Sequence, residues 1–124
     1  MNFSDPFSNV LQLGLREGMK VADLGAGVGH HALAASRIVG NTGRVYAVDV
    51  QEEVLKHLAN SARDTGVKNV ETIWGNIERN GGTTLKEASM DAVIISNVLF
   101  QLEDVAGAVA EVKRIIKPGG RLLI

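Results

Sequence analysis

The stretch that most constrains this chain is Val21-Ala22-Asp23-Leu24-Gly25-Ala26-Gly27-Val28-Gly29. The apolar run from Met19 to Leu24 has the composition of a short buried strand, and it gives way at Gly25 to a loop with glycine at every second position. Glycine there opens turns closed to other residues and lets a ligand approach the main chain without meeting a Cβ. His30-His31-Ala32-Leu33-Ala34-Ala35 follows and reads as a helix. Strand, glycine loop and helix in this order predict the first unit of a doubly wound α/β sheet, with a ligand beyond the carboxyl ends of the strands.

Departures from well-known glycine loops narrow the choice of ligand. Laid on Gly25 and Gly27, the dinucleotide fingerprint Gly-x-Gly-x-x-Gly requires glycine at position 30, and this chain has His30. A phosphate-cradling P-loop needs Gly-Lys-Ser/Thr, which does not follow. Asp23 is expected at the mouth of the loop, where its carboxylate would repel a pyrophosphate, and no Lys or Arg lies between 21 and 36 to offset it. The loop therefore suits a ligand that carries positive charge.

S-adenosylmethionine is such a ligand, with an ammonium, a sulfonium and no phosphate. Residues 21 to 29 also meet the pattern apolar-x-Asp/Glu-apolar-Gly-x-Gly-x-Gly, and on them the chain resembles the class I S-adenosylmethionine-dependent methyltransferases. The resemblance implies a Rossmann-like three-layer α/β/α domain, a parallel sheet of strand order 3-2-1-4-5, and a cofactor site that includes Asp23, Gly25, Ala26, Gly27 and Gly29. For the loop alone, a tight turn in some other α/β protein is the competing explanation.

Further landmarks follow in register. After the turn Gly40-Asn41-Thr42-Gly43, Arg44 to Asp49 reads as a second strand, and Asp49 lies 24 residues beyond Gly25, near the spacing at which a carboxylate accepts hydrogen bonds from a ribose diol. That role suits nicotinamide cofactors too, and capping the next helix is compatible with it. Val50 joins Asp49 in the expected site. Gln51 to Asp64 reads as a helix with Val54, Leu55, Leu58 and Ala62 as its apolar stripe, and Val70 to Trp74 as a third strand. In the resemblance the position of Asn76 is usually an aspartate that accepts from the adenine amino group, and Ile77 packs on or bonds the ring. Asn76 departs from that pattern; its oxygen can still accept the bond, without charge, and a turn asparagine is the alternative. Residues 78 to 90 read as a mobile connector with a short helical turn around Leu85.

Ser89 to Asn97 is a near-continuous apolar run, expected as a fourth strand covered on both faces. Beside strand one it would bring Ser96, Asn97 and Val98 to the glycine loop. The resemblance assigns this segment main-chain contacts to the methionine part of the cofactor, and places Leu99, Phe100 and Gln101 at the methyl group; Asn97 as a strand-end cap stays open. Asp104 starts a helix with a stripe of Val105, Val109, Val112 and Ile116. Lys117-Pro118-Gly119-Gly120 ends it, and Arg121 to Ile124 starts a fifth strand. The resemblance thus extends over residues 19 to 124 as the cofactor-binding domain, with residues 1 to 18 a cap segment in which Asp5 and Pro6 begin a short helix with Phe7, Val10 and Leu11 on one face.

Length allows one domain: 124 residues, short for an α/β enzyme. A net charge of -1 gives no overall argument for nucleic acid or an anionic membrane. With no cysteine, disulfides and thiol-ligated metals are excluded, and the amino-terminal residues lack the regions of a signal peptide, so a cytoplasmic protein is expected. His30 and His31 point in different directions on a helix with no third ligand apparent, so no metal is expected. The family fold continues past strand five with a helix and an antiparallel strand pair. Their absence reads as a fragment of a longer protein, or as a minimal module in which two chains pair along Arg121 to Ile124 as a homodimer.

The resemblance implies a methyltransferase acting on an unidentified, small-molecule acceptor, and the pattern is most similar to the small-molecule and biosynthetic methyltransferases of the ubiquinone and menaquinone type. No catalytic residue is assigned, because a sulfonium is already a good leaving group and the protein's main task is orientation. An NAD-dependent oxidoreductase domain and a non-catalytic cofactor-binding or partner module are the alternatives.

Overall fold

The computed structural model describes residues 5–95 and 102–124. Five parallel strands form one sheet in the order β3-β2-β1-β4-β5. They are β1 (Lys20–Leu24), β2 (Arg44–Asp49), β3 (Val70–Trp74), β4 (Met90–Ile95) and β5 (Ile116–Leu123); α1 (Pro6–Leu11) precedes β1, α2 (His30–Val39) and α3 (Glu52–Asp64) follow β1 and β2, β3 runs to β4 without a helix, and α4 (Val105–Ile115) precedes β5. This is the Rossmann-like α/β architecture and strand order that the sequence predicts.

Period-two alternation along the central strands feeds two cores. Val21, Val45, Ala47 and Ile94 face α1, α2 and α3, where they meet Val10, Ala32, Ala35 and Leu58. Ala22, Leu24, Val48, Val93 and Ile95 face the other way, against Ala108, Val112 and Ile115 of α4 and Ile77 and Leu85 of the β3–β4 connection. The same alternation turns Asp23 toward the α2 face.

Three expectations are corrected. On α4 the buried face is Ala108, Glu111, Val112 and Ile115, whereas Val105 and Val109 are exposed. A bonded carboxylate occupies the inward face, so apolarity alone points to the wrong stripe. On α1, Val10 is buried while Phe7 and Leu11 are exposed; the helix is short, and Leu13 just beyond it supplies the second core contact. The fifth strand begins at Ile116, directly after α4, with Lys117 to Gly120 inside it. Met90 pairs with Ile116 and Ala92 with Arg121, so Lys117-Pro118-Gly119-Gly120 is accommodated as an irregularity opposite Asp91. The Lys117 ammonium lies 3.0 Å from Asp91 Oδ1, and the Lys20 N–H donates to Asp91 Oδ2 at 2.8 Å.

Candidate functional site

The glycine loop is held by main-chain bonds to the end of β2. Gly25 N–H donates to Val48 O at 2.7 Å and Ala26 N–H to the same carbonyl at 3.0 Å. Gly27 N–H then donates to Asp49 Oδ2 at 3.0 Å, and Gln51 N–H to Asp49 Oδ1 at 2.9 Å. Asp49 therefore ties the loop to the start of α3, and each of its oxygens keeps a further lone pair for a ligand hydroxyl. Two glycines differ in what they provide. At Gly29 (φ +90°) a Cβ would come 2.1 Å from Leu58 Cδ1, so glycine there lets the loop close onto α3. At Gly27 (φ +57°) a Cβ would meet nothing within 4 Å, which leaves the backbone open to a bound group.

Asp23 is the electrostatic centre of the site. It is 1% exposed and lies beneath the loop rather than at its mouth, which corrects the sequence expectation; strand alternation turns it inward. Neither carboxylate oxygen has a hydrogen-bond partner among the described residues. Burial pushes its pKa up to about 7; the nearby Ala32 amide offsets part of that rise, and the Asp49 carboxylate adds to it. A buried, unpartnered carboxylate costs stability unless a cation or donor reaches it.

Beyond Asp49, Val50 is 56% exposed and Trp74 is 67% exposed, and the indole Nε1–H donates to Val50 O at 2.8 Å. Sequence reasoning passed over Trp74. Its position at the carboxyl end of β3, opposite Asp49 in the strand register, was the available signal. Asn76 Oδ1 accepts from Glu78 N–H at 2.9 Å, the turn role, with one lone pair left over. The Ile77 side chain is buried in the second core, so only its main chain can meet a ligand. Asn97 and the rest of the segment 96–101 lie outside the described residues. His31 sits against α1, with its Nε2 3.2 Å from Asn9 Nδ2; burial, and then His30, lower its pKa.

The β3–β4 connection also departs from expectation. Leu85 has no helical turn around it and is buried. The connection is fastened along α4: Glu111 accepts from Gly81 N–H at 2.8 Å, from Thr83 N–H at 3.2 Å and from the Thr83 hydroxyl at 2.7 Å, and Arg114 donates to Leu85 O at 2.7 Å.

Residues 15–124 match the family model of a methyltransferase domain. The chain belongs to that family. Among the relatives of this methyltransferase domain is the ubiquinone/menaquinone biosynthesis C-methyltransferase of Psychromonas ingrahamii, 38% identical over 112 residues, which are 90% of this chain and 43% of the relative. A solved structure of a SAM-dependent methyltransferase from Aquifex aeolicus superposes with a TM-score of 0.83 at 32% identity, over 92% of this chain and 59% of that one. An arsenic(III) S-adenosylmethionine methyltransferase from Chlamydomonas reinhardtii gives 0.78 at 34% identity, over 86% and 38%. The chain thus spans less than half the length of the curated relatives it matches. No helix among the described residues is long and apolar enough to cross a membrane.

Proposed function

We propose that this methyltransferase domain binds S-adenosylmethionine and forms the cofactor-binding part of an enzyme that methylates a small-molecule acceptor. The observation that carries this reading is Asp23: a buried carboxylate with no partner among the described residues, set under a glycine loop whose open backbone admits a ligand. A cationic adenosyl ligand fits this arrangement, because its ammonium supplies the missing countercharge at low dielectric. The Asp49 carboxylate takes the ribose hydroxyls, Val50 and the Ile77 main chain border the adenine, and Asn76 accepts from its amino group. Gly25, Ala26, Gly27 and Gly29 give the backbone on which the methionine part lies; the sequence resemblance adds Asn97, which lies outside the described residues. The amino end of α2, entered at Gly29, favours the cofactor's carboxylate.

When bound, the cofactor supplies the electrophilic methyl on a sulfonium that is already a good leaving group. What this chain contributes is orientation, which can lower a barrier by roughly 7 to 11 kcal/mol. A nicotinamide dinucleotide fits less well, because its pyrophosphate would sit over the Asp23 carboxylate with His30 where its loop requires glycine. The same reading takes the acceptor to be small, as the relatives' quinone and arsenic names suggest, and the cysteine-free chain to be cytoplasmic.

Leu122 of β5 and Ile124 just beyond it are exposed, and among the described residues β5 pairs only with β4. Pairing of two copies along the outer edge of β5 is part of the proposal, and a monomer by light scattering would refute it. The cofactor assignment is tested by thermal unfolding with S-adenosylmethionine, S-adenosylhomocysteine and NAD. Ligand at a hundred times its dissociation constant adds about 2.7 kcal/mol, a shift on the order of ten degrees in a domain of this size. No shift with either methionine-derived ligand would overturn the assignment.

A further inference from the structure

Glu111 lies about two turns into α4 and is fully buried. Its two oxygens are saturated. Oε1 accepts from Gly81 N–H at 2.8 Å and from Arg114 Nε at 2.8 Å; Oε2 accepts from the Thr83 amide at 3.2 Å, the Thr83 hydroxyl at 2.7 Å and Arg114 Nη2 at 2.8 Å. Burial alone would favour the neutral acid, but the Arg114 guanidinium, the Thr83 hydroxyl and the two amides outweigh it and bring the pKa down to about 2. The carboxylate is thus ionised throughout the physiological range.

This network does more than fill the core. It grips the chain that leaves β3, in which Asn76 and Ile77 follow Gly75. At the upper end the Asp104 N–H donates to Glu78 Oε1 at 2.5 Å while the Glu78 amide is held by Asn76 Oδ1. Lower down, Arg114 holds Leu85 O, and Ala88 and Ser89 donate to the carbonyls of Arg114 and Ile115. Thr84 and Ala88 sit at positive φ (61° and 49°), a conformation that non-glycine residues keep only where surrounding bonds impose it. Between Glu78 and Leu85 the connection has no strand or helix of its own. Its path is set by α4.

We propose that Glu111, Arg114 and Thr83 are positioning residues for the adenine side of the cofactor site: by fixing the path of residues 78 to 85 they set where Asn76 and Ile77 stand. The inference rests on the cofactor reading above and adds a function to side chains that touch no ligand. Its distinctive consequence is selectivity. If the network positions Asn76, loosening it erodes recognition of the purine 6-amino group more than it erodes binding as a whole. A network that only stabilised the fold would weaken all ligands alike.

The test compares binding of S-adenosylhomocysteine with its 6-oxo analogue, S-inosylhomocysteine, by calorimetry on the wild type, Thr83→Val, Thr83→Ser and Arg114→Lys, with folding checked by circular dichroism. Wild type is expected to prefer the 6-amino ligand by about fivefold or more, the ordinary weight of one hydrogen bond. Thr83→Val keeps the volume and drops the hydroxyl, and Arg114→Lys replaces the planar fork from the more exposed side of the network. Both should bring the preference close to one, while Thr83→Ser restores it. A preference unchanged in both folded variants would overturn this inference and leave the cofactor reading intact. Wild type that binds neither ligand would overturn both, and wild type that binds the two equally would overturn the role given to Asn76 and this inference with it.

Discussion

Replacing Asp23 by asparagine should change how stability depends on pH, by an amount set by the burial of one carboxylate. In the unfolded chain an aspartate titrates near 3.8, and in the folded domain Asp23 titrates at about 7. Between those values the native state holds a proton that the unfolded state has released, so stability falls as pH rises. The group's contribution is fully present below the unfolded value and lost once pH has passed the folded one. At about 1.36 kcal/mol per pH unit the whole loss is at most about 4 kcal/mol, of which about 2.5 kcal/mol falls between pH 5 and pH 8. That is a large fraction of the 5 to 15 kcal/mol typical of a domain. The amide of the Asp23→Asn variant cannot ionise, so the variant's advantage over the wild type should grow by this amount across the interval. Burying an amide adds a fixed offset that drops out of the comparison. Urea unfolding of both proteins at pH 5, 6, 7 and 8 reads it directly. Parallel stability curves over that interval would refute the claim that Asp23 is buried without a counterion.

Four further outcomes follow from the same site. Affinity for S-adenosylhomocysteine should rise with pH toward 7 in the wild type, by up to tenfold per unit, and be flat over that range in Asp23→Asn, because the ammonium selects the ionised carboxylate; titration calorimetry at four pH values reads both slopes. Gly27→Val, which forces a β-branched residue to positive φ and fills the open face of the loop, should reduce cofactor affinity at least tenfold, and wild-type affinity in a folded variant would contradict the site. Gly29→Ala should lower stability by about 2 kcal/mol in chemical denaturation, since its Cβ would stand 2.1 Å from Leu58 Cδ1 at φ +90°. Trp74 is the one tryptophan of the chain, and its indole is bonded to Val50 O, so its fluorescence should change on cofactor binding in the wild type and not in Asp49→Ala.

The fold and the position of the glycine loop were legible in the sequence for identifiable reasons. β1 and its glycine loop are legible because a buried strand is mostly apolar and the positive φ of Gly25, Gly27 and Gly29 favours glycine, and the place of Asp49 at the end of β2 follows from the spacing between strands. The depth of Asp23 was not legible: alternation says which face a residue takes, but only the packed neighbours say how far beneath the surface it lies. Glu111 was missed because a charged residue on a helix reads as solvated, and the amides of Gly81 and Thr83 that solvate it instead come from 28 to 30 residues earlier in the chain. The stripe assigned to Val105 and Val109 failed for the same reason. Ile116 read as the end of a helix because Lys-Pro-Gly-Gly resembles a stop, yet pairing with Met90 overrides that local signal and starts the strand before it.

The central claim, that a cationic adenosyl cofactor sits over Asp23 on the glycine loop, is met most directly by isothermal titration of this chain with S-adenosylhomocysteine and with NAD, alongside Asp49→Ala. Saturable one-to-one binding of S-adenosylhomocysteine is expected, at least tenfold weaker in Asp49→Ala, with no binding of NAD. Binding of NAD in preference to S-adenosylhomocysteine by the folded chain would contradict it.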